Sequence, residues 1–407
     1  MEEKVNDFIM LSKIKNYTKC RFSRVEKGLW VFSSFGGHYS DNPKYISQKL
    51  YELCPDTKIV WLVKKEYLSS LPEYVIGVDI NSDEAVNYRA KAQIVVDNVY
   101  GERAFSRMSN SLGDRVKACA FRFLNGKKTQ KTYTTWHGTP LKRMGRDQIG
   151  NTVYDFSCPH TTMMLGNRFT LDIMQHLTFN KLKMELLGTP RNDILFADED
   201  KARETRERLG LPSDRKLLLY APTFRNDGKD TEGKNLQRSG LDQLNEIDFD
   251  RLFKTLNEKF GGEWAFVCRF HYHVAKMVDW EGLNAKYEGR FINGNLHDDM
   301  SEYMLCADIL MTDASSCMFD YSVSYKPCFL YFPDLDNYKN KERGFYIEVE
   351  ELPYPVAVSF DELESNIKNF DADRYRAKTD EMLERFGYVD DANSSERIVR
   401  FILGDQK

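Results

Sequence analysis

Apolar residues in this chain gather in short, nearly unbroken runs separated by stretches of helical period. "LWVFSSF" (29–35), "KIVWLV" (58–63), "AQIVVDN" (92–98), "KTYTTW" (131–136), "TTMMLG" (161–166) and "KMELLG" (183–188) each have strand length. "NPKYISQKLYEL" (42–53), with Pro43 in its first turn, reads as a helix between the first two. Strands that are apolar on both faces and alternate with helices predict a parallel sheet covered on both sides.

The charged segment "ADEDKARETRERLGLPSD" (197–214) reads as a solvent-facing helix closed by Gly and Pro, after which the rhythm restarts. "KLLLYAPTF" (216–224), "EWAFVCRF" (263–270), "GRFING" (289–294), "DILMTD" (308–313) and "CFLYF" (328–332) are the second set of strands. "DFDRLFKTLNEKF" (248–260), "HDDMSEYMLCA" (297–307) and "SSCMFDYSVSY" (315–325) are helices among them. The expected fold class is α/β, with two doubly wound, Rossmann-type domains and a cleft between them as the default ligand site. We expect an N-terminal segment at 1–28, a first domain at 29–205, a second at 206–372, and C-terminal helices at 373–407 that pack back on the first. Residues 226–242, polar and glycine-containing, read as a mobile loop over the cleft.

Length and composition agree with two folded domains: 407 residues, 42% hydrophobic and 29% charged. A net charge of −4 argues against a broad nucleic-acid surface, so anion binding must be local. The eight cysteines form no CxxC pair and no metal-ligand spacing; those in "FVCRF" and "KPCFLYF" read as buried free thiols of a reducing compartment. No apolar run approaches the roughly 20 residues that span a bilayer, and no secretory signal is visible. Residues 1–28 mix Phe8, Ile9, Leu11 and Ile14 with Lys13, Lys15, Lys19, Arg21 and Arg24. Such a segment packs on its own domain or lies on an anionic membrane surface.

Candidate chemistry falls just past strand ends, where open α/β sheets bind ligands. In "TWHGTPLKR" (135–143), His137 would project from a carboxyl end, Gly138 lets another group approach closely, and Lys142 with Arg143 supplies positive charge, with Gly138, Thr139 and Lys142 on the acceptor side. A neutral imidazole suits abstraction of a hydroxyl proton; the plainer alternative is a structural histidine tethered to a turn. "CRFHYHV" (268–274) places Arg269, His271 and His273 after a strand, suited to holding a phosphate and a leaving oxyanion. His271 and His273 would point to opposite sides of an extended segment, so one of them is expected in the site.

In "MTDASSCMFDYS" (311–322), Thr312, Ser315 and Ser316 lie between a strand and a helix start, an arrangement that binds anions or simply caps the helix. Thr223 and Arg225 in "YAPTFR", and Arg343 in "RGFYIEVEELP", are further phosphate candidates. "SSFGGHYSDNP" (33–43) offers Gly36, Gly37 and Asp41 on the acceptor side and contains no GxGxxG fingerprint. The DLD at 334–336 is a bare carboxylate pair, and no metal or other cofactor is expected.

Taken together, "FSSFGGHYSDNPKY", "TTWHGTPLKRMG", "LLGTPRNDILF", "YAPTFR", "RFH", "ADILMTDASSCMFDYSVSYKPCFLYFPDLDNY" and "RGFYIEVEELPYP" resemble the CDP-glycerol:poly(glycerophosphate) glycerophosphotransferase family of bacterial teichoic-acid and capsule enzymes. The resemblance implies a GT-B-like pair of Rossmann-type domains. It implies transfer of glycerol phosphate or ribitol phosphate from CDP-glycerol or CDP-ribitol to a hydroxyl of a polyprenyl-diphosphate-linked glycan or polyol-phosphate acceptor, with release of CMP. It makes His137 the general base, His271 the second-domain histidine near the donor pyrophosphate, and Thr312, Ser315, Ser316 and Arg343 donor-phosphate ligands. It also implies a peripheral protein on the cytoplasmic face of the bacterial membrane. Ala314 stands where the family often has tyrosine, which bears on the donor's polyol pocket. The rival readings are a GT-B sugar transferase using a UDP- or GDP-sugar, and a non-catalytic scaffold that kept the cleft.

Overall fold

The computed structural model describes residues 22–98, 106–108, 130–147, 153–155, 161–177, 182–223, 241–270, 272–337 and 344–404. They form two compact units.

The first unit contains the chain through His137, then Met144–Asp193, then the stretch from Tyr388 onward. Its strands are β1 (Leu29–Ser33), β2 (Lys58–Val63), β3 (Ile76–Asp79), β4 (Ile94–Asp97), β5 (Ser106–Met108), β6 (Lys131–Thr135), β7 (Val153–Asp155), β8 (Thr161–Leu165) and β9 (Lys183–Leu186). Seven of them make one sheet in the order β3-β2-β1-β4-β6-β8-β9. All its pairings are parallel. β5 and β7 form a separate antiparallel pair.

Side chains alternate across this sheet and so bury both faces. Trp30, Phe32, Ile59 and Trp61 pack with Ile46 and Leu50 of helix α1 (Asp41–Leu53) and with Ile398, Val399 and Ile402 of the C-terminal helix Ser394–Gly404. Leu29, Val31, Val60 and Leu62 face Ala85 of helix α2 (Asp83–Lys91). Farther along, Met163 and Leu165 of β8 meet Leu171, Met174 and Leu177 of helix α3 (Arg168–Leu177). Each such fully buried side chain contributes about 1.5–3 kcal/mol.

The second unit contains Gly138–Arg143 and Ile194–Gly387. Its sheet is built from β10 (Lys216–Ala221), β11 (Trp264–Cys268), β12 (Phe291–Asn293), β13 (Ile309–Thr312), β14 (Cys328–Tyr331) and β15 (Val356–Ala357). Their order is β12-β11-β10-β13-β14-β15, and every pair is parallel. Helix Phe249–Phe260 starts where the Asp248 side chain accepts from Arg251 N, and it buries Phe249, Leu252, Phe253 and Leu256. In each unit the strand order reverses beside the first strand, between β1 and β4 and between β10 and β13. Those are the crevices where such sheets take ligands.

Four features depart from the sequence expectation. The division between units falls at Asp193/Ile194 instead of 205/206, so helix Glu199–Arg208 belongs to the second unit. The return to the first unit begins at Tyr388 instead of 373, because helix Ala372–Phe386 buries Tyr375, Met382 and Phe386 within the second. The helix expected over 315–325 is only Cys317–Tyr321, followed by a 3-10 turn at Ser322–Ser324. Gly138–Arg143 also counts with the second unit. There Lys142 bridges Phe345, Tyr346 N donates to Leu141 O at 2.8 Å, and Arg143 N donates to Gly344 O at 3.1 Å.

Among the described residues no helix is long and apolar enough to cross a membrane. The apolar and basic positions from Phe8 to Arg21, and most of the loop expected at 226–242, lie outside the described residues.

Candidate functional site

The first unit concentrates its buried polar groups where β1, β4 and β6 end. Past β1 the chain turns through a 3-10 turn, Phe35–Gly37, with Gly36 at φ 65° and Gly37 at φ 73°. Gly37 also lies so close to the next strand end that a Cβ there would meet Lys64 Cγ at 3.0 Å and Lys64 N at 3.1 Å. Only glycine suits both conditions. This turn delivers Asp41 at the head of α1.

Asp41 is itself left-handed, at φ 60°, a conformation that aspartate tolerates but that marks a residue held by its surroundings. Its carboxylate accepts from Asn42 N at 2.6 Å, from Asn98 Nδ2 at 2.8 Å and from Arg191 Nη1 at 2.9 Å. Asn98, fully buried past β4, also donates to Ser34 Oγ at 3.2 Å. Beside it Thr134 Oγ1 donates to Asp97 Oδ1 at 2.6 Å and ties β6 to β4.

His137 lies two residues past the end of β6. Trp136 anchors the turn in the apolar cluster under α3, and its ring lies 4.3 Å from the imidazole at an interplanar angle of 36°. The backbone on either side of the Trp136–His137 peptide is held: Asn42 Nδ2 donates to Trp136 O and Arg191 Nη2 to His137 O, both at 2.9 Å. Burial pushes the imidazole down to about 4, with Asp41 opposing the shift and Arg191 adding to it. The ring is therefore neutral at physiological pH, the form that can accept a proton. Gly138, at φ 138°, and buried Thr139 follow, then half-buried Lys142. Expected on the acceptor side, these three pack instead with the second unit.

In the second unit the switch between β10 and β13 is also tied. Thr312 Oγ1, fully buried, donates to Ala221 O at 2.6 Å, and Thr223 N donates to Asp313 Oδ1 at 2.8 Å. Thr312 thus serves a strand–strand tie, and its hydroxyl does not face an open crevice. Ser315 and Ser316 remain half-exposed just before the short helix. Five helical residues bring few aligned peptide dipoles, so an anion here would rest on hydroxyls and local N–H groups.

Arg269 departs most clearly from its expected phosphate role. Its guanidinium donates to Gly294 O at 2.7 Å, to His297 O at 2.6 Å and to Asp298 O, and lies 5.1 Å over the Tyr303 ring. Burial pulls it below its ordinary range, opposed by Tyr303, Asp299, Asp298 and Glu302. It braces the loop after β12. Asn295 from that loop in turn accepts from Phe270 N at 3.1 Å and donates to Phe270 O, gripping the residue just before position 271. His271, Arg225 and Arg343 lie outside the described residues. His273 belongs to a helical turn, Tyr272–Ala275, where an extended segment was expected.

Asp334 of the DLD accepts from Gln243 Nε2 at 3.4 Å. No three His, Cys, Asp or Glu side chains gather in metal-binding geometry among the described residues.

Residues 15–404 match the family model described as CDP-Glycerol:Poly(glycerophosphate) glycerophosphotransferase. The chain belongs to that family. Among the relatives of this glycerophosphotransferase-family chain is the teichoic acid poly(glycerol phosphate) polymerase of Staphylococcus epidermidis, 32% identical over 93% of this chain and 50% of that protein. The teichoic acid glycerol-phosphate transferase of Staphylococcus aureus is 29% identical over 97% of this chain and 95% of that protein. A structure of the wall teichoic acid polymerase TagF with CDPG superposes with a TM-score of 0.76 at 29% identity, covering 99% of this chain and 96% of that one. The chain spans about half the length of the poly(glycerol phosphate) polymerases of Staphylococcus epidermidis and Bacillus subtilis that it matches.

Within this family member, sequence reading named Asp41 and His137 but missed Arg191, Asn42 and Asn98, which hold them. A signal was present: Arg191 stands directly after Gly-Thr-Pro in a stretch already singled out, a few residues past the strand Lys183–Leu186. Its partners are 150 and 54 positions away, a pairing no local pattern encodes.

Proposed function

We propose that this chain transfers glycerol phosphate from CDP-glycerol to a hydroxyl of a polyprenyl-diphosphate-linked teichoic-acid acceptor and releases CMP. Family membership sets the reaction class. Relatives named for glycerol phosphate match 68–97% of the chain, those named for ribitol phosphate 52–54%, and we therefore favour glycerol over ribitol. Capsule acceptors and a peripheral position at the cytoplasmic membrane face belong to the same reading.

In this mechanism His137 takes the proton of the acceptor hydroxyl as the oxygen attacks the β-phosphorus of the donor. The bond from that phosphorus to the bridging oxygen breaks, CMP leaves with the electron pair, and the imidazolium returns its proton to solvent. Phosphoryl transfer of this kind depends on positioning and charge stabilisation. On the donor side Thr223, Ser315, Ser316, Arg225, Arg343 and His271 are assigned to the diphosphate, and Gly36, Gly37 and Asp41 to the acceptor. No resident metal is part of the scheme.

The observation that carries the reading is the neutral imidazole at the end of a parallel strand, its backbone fixed by Asn42 and Arg191. The deciding experiment supplies CDP-glycerol, CDP-ribitol and a UDP-sugar with a lipid-linked acceptor, with and without EDTA. CMP release from CDP-glycerol, unchanged by EDTA, is the expected result. Release of UDP alone would mean a sugar transferase.

A further inference from the structure

One buried cation has no part in that scheme. Arg191, only 9% exposed, sits in the 3-10 helix Pro190–Phe196 and divides its guanidinium between Asp41 Oδ1 and the His137 carbonyl, both at 2.9 Å. Its own N–H donates to Asn42 Oδ1 at 3.1 Å, and the same asparagine donates to the Trp136 carbonyl at 2.9 Å. The carbonyls of Trp136 and His137 are thus held from one short segment and its immediate partner. A planar fork can serve a carboxylate and a carbonyl at once, which a lysine ammonium on a flexible stem cannot do with fixed geometry.

The segment carrying Arg191 is itself clamped on both sides. Asp390 accepts from Thr189 N at 2.6 Å and from Asn192 Nδ2 at 2.9 Å. Asp193 accepts from Ser394 N at 2.9 Å and from Ser395 N at 2.7 Å. A surface arginine would not need such support. A residue that must hold another group to within a fraction of an ångström would.

We propose that Arg191 is a positioning residue for His137, fixing the backbone from which the imidazole projects and holding Asp41 in place beside it. This rests on the reading of His137 as the proton acceptor. Displacement of a reacting group by about 1 Å costs on the order of 10²-fold in rate. Losing the arginine should therefore lower kcat while leaving the donor KM nearly unchanged, since Arg191 touches no assigned donor residue. The charged groups acting on the ring are Asp41, which favours its protonation, and Arg191, which opposes it. Removing the arginine leaves Asp41 unopposed, and the ring should titrate at higher pH.

The test compares wild type with Arg191→Gln and Arg191→Lys, measuring CMP release from CDP-glycerol, thermal melting, and the titration of the His137 ring by NMR. Arg191→Gln should lose roughly 10–100-fold in kcat with an upward shift of the ring titration; Arg191→Lys should recover part of both. Should the glutamine variant fail to fold, the lysine variant carries the test by the same two readouts. An unmoved ring titration, or a kcat equal to wild type, in a folded variant overturns the proposal. A parallel His137→Asn variant separates the two ideas. If it turns over normally, the proton-acceptor reading fails, whereas a shifted ring titration in Arg191→Gln still reports the positioning contact.

Discussion

Asp41 and Arg191, 150 positions apart, form an ion pair of 2.9 Å whose side chains keep 17% and 11% of their exposure. Isolated buried pairs often fail to recover the cost of desolvation, but this one sits in a lattice of further hydrogen bonds that Asn42 and Asn98 donate to Asp41 and that the His137 carbonyl accepts from Arg191. That lattice accounts for the left-handed backbone of Asp41: three donors converge on its carboxylate and over-determine its place. It makes the strand end around His137 a prearranged surface.

Replacing His137 by asparagine should lower turnover by about 10²–10⁴-fold, the usual contribution of general-base catalysis. Binding of CDP-glycerol should persist, because His137 is assigned to the acceptor. Single-turnover CMP release and calorimetric titration with the donor measure the two effects. Near-normal turnover would remove the imidazole from the chemistry.

The same imidazole links stability to pH. Folded, it is held down at about 4, while unfolded it titrates near 6.5. Between these values the unfolded chain binds a proton that the folded one refuses, so this group's contribution is intact above about pH 6.5 and declines as pH falls toward 4. The slope from one such group approaches about 1.4 kcal/mol per pH unit. Urea midpoints from pH 7 to 4.5 should therefore converge between wild type and His137→Asn as pH falls. Parallel curves would mean that the ring titrates normally.

Arg269→Met should destabilise the protein without any ligand, by about 2 kcal/mol or more, since three backbone carbonyls lose their donor. A melt of the ligand-free protein checks this. An unchanged melt with weakened donor affinity would return Arg269 to the phosphate contact first expected of it.

Gly188→Ala tests the seat of the C-terminal helix. Gly188 has φ 92°, and a Cβ there would overlap Ser394 Oγ. Crowding of this kind costs about 1–3 kcal/mol, with further strain from the backbone angle. A melting temperature equal to wild type would show that the helix start shifts freely.

Much of the fold was legible because central parallel strands are apolar on both faces: Leu29–Ser33, Lys58–Val63 and Lys216–Ala221 stand out as runs. Two of the four edge strands, Ile76–Asp79 and Val356–Ala357, escaped for the opposite reason. Ile76–Asp79 is partly exposed, contains a glycine and has no continuous apolar signal. His137 and Asp41 were visible from their places after strands. Arg269 was visible too, but its bracing of the loop after β12 was not, since sequence shows that a cation follows a strand and not that carbonyls of the next loop surround it. Arg191 went unassigned because its meaning lies wholly in long-range partners.

Ser394–Gly404, which completes the interior of the first unit, is the last described helix of the chain. During synthesis, the second unit has all of its segments before the first acquires its final wall. Trp30, Phe32 and Trp61 must therefore wait, incompletely covered, until Ser394–Gly404 has been made. A nascent chain that has exposed everything through Gly387, with Ser394–Gly404 still inside the ribosome, should carry a finished second unit and a first unit still open to chaperones and proteases.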